Sequence, residues 1–249
     1  MKNKISYSTV EEYSHLFNRF KKLATHQSDL KDFQRPWMVN EIINTIPNSY
    51  TLCEIGAGEP LAASELSNNG YNITICDPFD GSGNGPTEFA EYVKLYPSIK
   101  FIRSRFTPEV AQSNYPNGLD VIYSISVLEH VDIIDLKKLF LGIQSSLKAG
   151  GLSIHCIDIV LQGNGEDFHR NHLREIIKQQ NIISNIDSSE HLINIQVNNL
   201  LENASCDIDT YYLSPYGHML WRGSLDIKEF PFRKVLSIQS VAQKSVMQK

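Results

Sequence analysis

The segment Glu54-Ile55-Gly56-Ala57-Gly58-Glu59-Pro60 constrains the fold more than any other, because it ends a short apolar run and opens a helical one. Residues 51–55 read as a buried strand, and the pattern over 61–66 continues as a helix. Two glycines at i and i+2 between strand and helix let the backbone come close to a ligand. Nineteen residues beyond Gly58, a second strand pattern over 71–76 ends in Asp77. A carboxylate at the carboxyl end of the next strand suits the two hydroxyls of a ribose. The pattern is that of a nucleoside site.

Two departures from the dinucleotide fingerprint say which nucleoside. In that fingerprint a third glycine lets the helix pack close while its N-terminus holds a pyrophosphate. Here the position is Leu61, and Glu54 stands two residues before the first glycine. A carboxylate is unfavourable beside a pyrophosphate and helpful beside an ammonium or a sulfonium. S-adenosylmethionine (SAM) has no phosphate, carries both cations, and has a carboxylate for the helix end to attract. The residues favour SAM over NAD.

On these residues the chain resembles the class I SAM-dependent methyltransferases, whose first motif is an acid followed by Gly-x-Gly. Three further pieces fall in family order. Asp77 ends the second strand. Asp120-Val121-Ile122-Tyr123-Ser124-Ile125-Ser126-Val127-Leu128-Glu129-His130-Val131 is similar to the fourth strand and its following turn. Leu147-Lys148-Ala149-Gly150-Gly151 is similar to the turn into the fifth strand. The resemblance covers residues 50 to 160. It departs where Pro60 replaces the family's third glycine and where Ser104-Arg105 stands in place of an acid that often meets the adenine amine.

The resemblance implies an α/β fold: a doubly wound, mostly parallel seven-stranded sheet with helices on both faces. It implies an N-terminal helical cap over 1–48 and a SAM-binding domain over 49–249, ending in an antiparallel strand pair. An insertion near 181–205 would build the substrate pocket. Gly56, Ala57 and Gly58 would face the methionine moiety and Glu54 its ammonium. Asp77, with Pro78 beside it, would hold the ribose. Ser104, Arg105 and Phe106 would flank the adenine, and Ser126 the sulfonium.

Helices are predicted over 10–23, from Pro36 onward, and over 61–69, 86–95, 132–148, 166–180 and 188–201. Strands are predicted over 51–55, 72–76, 99–103, 120–125 and 152–159, then over 207–213 and 232–241. The alternation from 50 to 160 argues for right-handed βαβ units and a parallel sheet. Net charge near −5 and a pI of about 5.9 leave no electrostatic footprint for nucleic acid. Four cysteines, Cys53, Cys76, Cys156 and Cys206, show no Cys-x-x-Cys spacing, which favours a reduced, cytoplasmic protein. No window approaches a membrane span, and the N-terminus lacks the apolar core of a signal peptide.

Methyl transfer needs an aligned nucleophile and, for a hydroxyl, a base. His130 follows the fourth strand and reads either as base or substrate ligand, or as a histidine bonded to the turn backbone. Asp158 ends the fifth strand among apolar residues, a placement that suits a site residue. His169 and His172 lie at i and i+3 on one helix face, able to supply a base, join Asp158 around a metal, or simply face solvent. The metal ligand that ubiquinone-pathway O-methyltransferases carry three residues before Glu-His is Ser126 here, so metal binding by Glu129 and His130 is not expected. Tyr211, Tyr212, Tyr216, His218 and Trp221 form an aromatic concentration fit for a pocket or for core. The reading is O-methylation of a small-molecule acceptor with His130, Asp158 and His169 as the catalytic candidates. N-methylation by alignment, a non-catalytic SAM-binding domain and an NAD oxidoreductase are the rivals, with RNA methylation behind them.

Overall fold

The computed structural model describes residues 3–24, 30–56, 58–82 and 85–246. Ala57, one of the predicted cofactor contacts, lies outside the described residues. Seven strands are β1 (Asn3–Tyr7), β2 (Thr51–Ile55), β3 (Asn72–Asp77), β4 (Lys100–Arg103), β5 (Leu119–Ile125), β6 (Leu147–Gln162) and β7 (Lys234–Gln243). They form one sheet in the order β1-β7-β6-β5-β2-β3-β4. The run from β6 to β4 is parallel, and β7 is antiparallel to both of its neighbours.

Helices cover both faces, because the central strands are apolar on both sides. Leu52, Ile73, Ile75, Val121, Tyr123, Ile154 and Cys156 pack against α1 (Val10–Arg19), α2 (Lys31–Thr45) and α3 (Leu61–Asn68). Aromatic residues of α4 (Phe89–Leu95) join that face. Cys53, Ile122, Ile157 and Ile159 face the other way. There they meet α5 (Pro108–Asn114), α6 (Ile133–Ser146), α7 (Glu166–Ile183) and α8 (Glu190–Cys206). A last helix, α9 (Pro215–Arg222), leads into β7. Thr107 and Asp132 start α5 and α6 by accepting from the amides of Val110 and Ile134, two orphan donors of a first turn. Among the described residues no helix is long and apolar enough to cross a membrane.

Three expectations are corrected. The predicted C-terminal strand pair has one member, β7. Residues 207–213 make only isolated bridges, Thr9 with Thr210 and Tyr212 with Leu236, and Ile208 points fully into solvent. The seventh place in the sheet is taken by β1, from the other end of the chain. Its Ile5 and Tyr7 pack on the core while Lys4 pairs with Glu41 at 3.7 Å, the half-polar pattern of an edge strand. Helix α2 begins at Lys31, so Pro36 lies inside it rather than in its first turn. β6 is longer than predicted because β7 pairs with it from Leu152 to Gln162.

Candidate functional site

The carboxyl ends of β2, β3 and β5 converge, as the parallel register requires. Gly56 follows β2 with φ +78, and its amide donates to the Cys76 carbonyl at 3.0 Å. A Cβ there would lie 2.5 Å from Val127 Cγ2, so only glycine fits. Gly58, φ +44, faces open space: an added Cβ meets nothing within 4 Å. That opening, where the helix α3 begins, is where a ligand backbone contact would be made. At the end of β3 the buried Asp77 accepts from the Phe79 amide at 2.6 Å through Oδ1. Phe79 takes φ +51 and is locked by edge contacts with the rings of Phe89, Tyr92 and Phe101. The Ser104 amide donates to the Asp77 main-chain carbonyl at 3.0 Å, which ties the end of β4 to the end of β3 next to Pro78.

Glu54 is 3% exposed, on the α2 face of β2. Burial pushes its pKa up to about 8, against the pull of a 3.1 Å hydrogen bond from Tyr123 Oη and of the Arg35 charge. The acid is therefore largely protonated at neutral pH, where the sequence suggested a fixed charge. Arg35, not singled out in the sequence, is buried on α2 with its guanidinium 3.4 Å from Glu59. Phe106 turns into the core under α6 rather than toward the strand ends, its ring against Gly142. Arg105 is exposed, 3.9 Å from Asp80 and 3.7 Å from Asp135.

Beside this edge lies a cavity of about 400 Å³. Ser126, Glu129, His130, Asp158 and His169 line it, together with Lys31, Trp221, Phe230 and Arg233. Ser126 follows β5 with φ +54, a strained conformation for a side-chain-bearing residue, held by the hydrogen bond its amide donates to the Cys156 carbonyl at 2.9 Å. The strain aims Oγ at Asp158 Oδ2, 3.0 Å away. Asp158 Oδ1 accepts from Gln34 Nε2 at 2.6 Å, and the same amide reaches Ser237 Oγ at 2.9 Å. Glu129, 1% exposed, accepts from the Asp158 amide at 3.0 Å. Burial, and then the Asp158 charge, push Glu129 up to about 8, so Glu129 carries a proton at neutral pH.

His169 Nδ1 lies 3.0 Å from the Asp158 carbonyl. A carbonyl only accepts, so Nδ1 carries the hydrogen and Nε2 the lone pair. Burial, more than the opposing carbonyl contact, lowers the His169 pKa to about 4, which keeps the ring neutral at pH 7. His130 sits at the rim, and partial burial followed by the Lys31 charge lowers its pKa. His172 turns away: its two nitrogens lie 3.1 Å from the carbonyls of Phe168 and Val131. Among the described residues no group of three His, Cys, Asp or Glu side chains is placed to hold a metal.

The three predicted catalytic residues thus share one cavity with Ser126. Sequence reasoning missed Gln34, Lys31, Phe230 and Arg233. The polar residues Asp32, Gln34 and Arg35, interleaved with Phe33 and Trp37 at the start of the helix, were the one available signal for the α2 contribution. Of the aromatic concentration only Trp221 lines the cavity. Tyr211 stacks on Tyr13 at 4.4 Å, and Tyr212 lies under the Lys234 ammonium. Among the described residues the segment 181–205 contributes nothing to the lining. It forms the end of α7 and most of α8, whose apolar side packs on the sheet.

No family model matches the chain. Two uncharacterized proteins of Mycobacterium tuberculosis are each 27% identical to it over 104 residues, covering 41% of this chain. The match spans 34% of those relatives' length. Among solved structures, phosphoethanolamine N-methyltransferase 2 of Haemonchus contortus, in complex with S-adenosyl-L-methionine, is 13% identical. It covers 94% of this chain and 57% of its own, with a TM-score of 0.51. The N-methyltransferase NodS of Bradyrhizobium japonicum is 11% identical, covering 87% of this chain and 97% of its own, with a TM-score of 0.47. Identities this low speak to architecture alone. With the strand order and the glycine turn after β2, the likeness to the Haemonchus enzyme identifies the fold of this chain as that of the class I SAM-dependent methyltransferases.

Proposed function

We propose that the chain binds SAM at the carboxyl ends of β2, β3 and β5 and methylates a small-molecule acceptor held in the adjoining cavity, at a hydroxyl oxygen. One observation carries this reading: Ser126, at the edge where the sulfonium is expected, lines the same cavity as Asp158, His130 and His169. The open turn at Gly58 suits the methionine end, and Asp77 the ribose hydroxyls. Glu54 would meet the ammonium, with Arg35 close by for the carboxylate. Pro78, Ser104, Arg105 and the backbone at Phe106 would border the adenine.

Bound SAM supplies a methyl group on a positively charged sulfur, which leaves as the neutral thioether of S-adenosylhomocysteine. The chain has then to hold the acceptor oxygen in line and take its proton. Asp158 is held by Gln34 and Ser126, and its main chain sets the His169 tautomer. His169 Nε2 receives the proton as the oxygen–carbon bond forms, and His130 contacts the acceptor at the rim. Helix α2 serves as a wall as well as core, since Lys31 at its start lines the cavity and Gln34 holds Asp158. An acidic surface balance and free cysteines favour a cytoplasmic enzyme with neither nucleic acid nor membrane as partner.

Calorimetry with SAM, S-adenosylhomocysteine and NAD, followed by turnover in cell extract with mass identification of the product, tests this. Binding of SAM and a product heavier by one methyl group support it. Tight NAD binding with no response to SAM would sink it. SAM binding without any methylated product would leave a non-catalytic domain. A product methylated at nitrogen would replace the general-base step with alignment alone.

A further inference from the structure

Resting on the methyltransferase reading, we propose that the acceptor carries an oxyanion, a carboxylate or a phosphate, and that Arg233 receives it. Arg233 immediately precedes β7 and lies against the end of β6: a Cβ on Gly163 would stand 3.0 Å from Arg233 Cβ. That places it well beyond Asp158 along the same strand, in the part of the cavity away from the hydrogen-bonded carboxylate. Its guanidinium lies over the Phe230 ring, 4.5 Å from the centroid, and Nη1 approaches Gly165 at the start of α7.

Among the described residues this arginine has no counter-ion. Arg35, Arg105 and Arg170 each have a carboxylate within 4.0 Å. Among the described residues Arg233 has none, although the chain carries an excess of acids. Its Nε is buried and meets no hydrogen-bond acceptor there. A half-buried guanidinium with an orphaned donor is costly unless something supplies the acceptor. The cavity's own carboxyls do not: Asp158 is held by Gln34 and Ser126, and Glu129 accepts from the Asp158 main chain. The planar fork of arginine matches a carboxylate or a phosphate in bidentate geometry. Trp221 and Phe230 add flat apolar walls, and Lys31 a second positive charge.

The arrangement links recognition to chemistry. The Arg233 charge is one of the influences that lower the His169 pKa. An oxyanion seated on Arg233 would offset that charge and make His169 a stronger base when the acceptor is in place.

The test uses the full chain saturated with S-adenosylhomocysteine and three probes of similar shape: benzoate, phenyl phosphate and neutral benzyl alcohol. Calorimetry should show at least one anion binding on the order of tenfold more tightly than benzyl alcohol, the difference a charge-assisted pair supplies. Which anion wins separates a carboxylate from a phosphate acceptor. Arg233→Gln should erase the preference, and Arg233→Lys should keep part of it. Thermal melting confirms that each variant is folded. Benzyl alcohol binding as well as both anions, or a preference that survives Arg233→Gln, overturns the proposal. So does the failure of both anions to bind at millimolar concentration. Binding of S-adenosylhomocysteine to the unmodified chain is measured separately. Its absence would remove the methyltransferase reading while leaving the anion result to stand or fall alone.

Discussion

The two halves of the candidate site are built by different means. The strand-end half is made of backbone in short contiguous turns: Gly56 at φ +78, Gly58 at +44 and Phe79 at +51. Its hydrogen bonds run between neighbouring strands, such as the Gly56 amide to the Cys76 carbonyl. The cavity half is made of side chains brought from distant parts of the chain. Gln34 of α2 reaches Asp158 of β6 and Ser237 of β7, while Trp221 and Arg233 arrive from beyond α8. Backbone turns accept few sequences and repeat across a fold. Side-chain walls can change one residue at a time without disturbing the sheet. The difference separates a site for a common cofactor from a site for a particular acceptor.

Substitutions should divide along the same line. The largest effect belongs to the cavity: His169→Ala or Asp158→Ala should lower kcat on the order of a hundredfold or more. S-adenosylhomocysteine affinity, read by calorimetry, should stay near that of the unmodified chain. If these two and His130→Ala all leave turnover within about threefold, general-base O-methylation is wrong.

Next in size, Asp77→Ala should weaken SAM binding roughly tenfold or more, through loss of a charge-assisted bond worth about 1.5–3 kcal/mol. Loss of the Phe79 amide's acceptor adds to the effect. An unchanged dissociation constant rejects the ribose assignment and dissolves the contrast between the halves.

Smaller still, Gly58→Ala should cost about 1 kcal/mol of stability from its left-handed backbone, since its Cβ meets no protein atom. Its effect on SAM affinity should be the greater of the two, because the methyl enters the space assigned to the ligand. Thermal melts and calorimetry on the same preparation compare them. A stable variant that binds SAM normally would place the ligand elsewhere.

A last contrast concerns pH. Glu54 and Glu129, one in each half, are raised from 4.5 to about 8 by burial. Between those values the folded chain holds protons that the unfolded chain has released. Stability should therefore fall as pH rises from about 4.5 to about 8, then level off. Glu129→Gln should flatten that slope in denaturant titrations across the window. A slope equal to that of the unmodified chain would mean Glu129 is not the protonated partner of Asp158. In the other half, a bound ammonium favours ionised Glu54, so SAM affinity should rise with pH up to about 8 and Glu54→Gln should abolish the rise.

Most of the fold was legible because local pattern and tertiary environment agree. Strands 51–55 and 120–125 and the helix after Pro60 are apolar for reasons visible within a dozen residues. What failed depended on partners far along the chain. β1 is short and half polar, and becomes a strand only because β7 offers an edge. The stretch 207–213 has strand-like residues, but β1 already holds the edge of β7 from Ile238 to Ala242, so only isolated bridges remain to it. Phe106 was read as a ligand neighbour from its place after Ser104-Arg105, yet the close approach of Gly142 on α6 draws the ring into the core.

The sequence by itself determined the glycine turn after β2, the acid at the end of β3 and the alternation that forces a parallel sheet. Each is a local demand, of backbone conformation or of apolar period, that few other folds satisfy. It also put His130, Asp158 and His169 near one another, although Asp158 lies inside β6 rather than at its end. Only the tertiary structure decided that Asp158 is held by Gln34 and Ser126, that its carbonyl selects the His169 tautomer, and that Arg233 stands in the cavity with no ion-pair partner among the described residues. Those outcomes depend on distances between groups remote in sequence and on burial that shifts a proton. Both arise only once the helices have packed onto the two faces of the sheet.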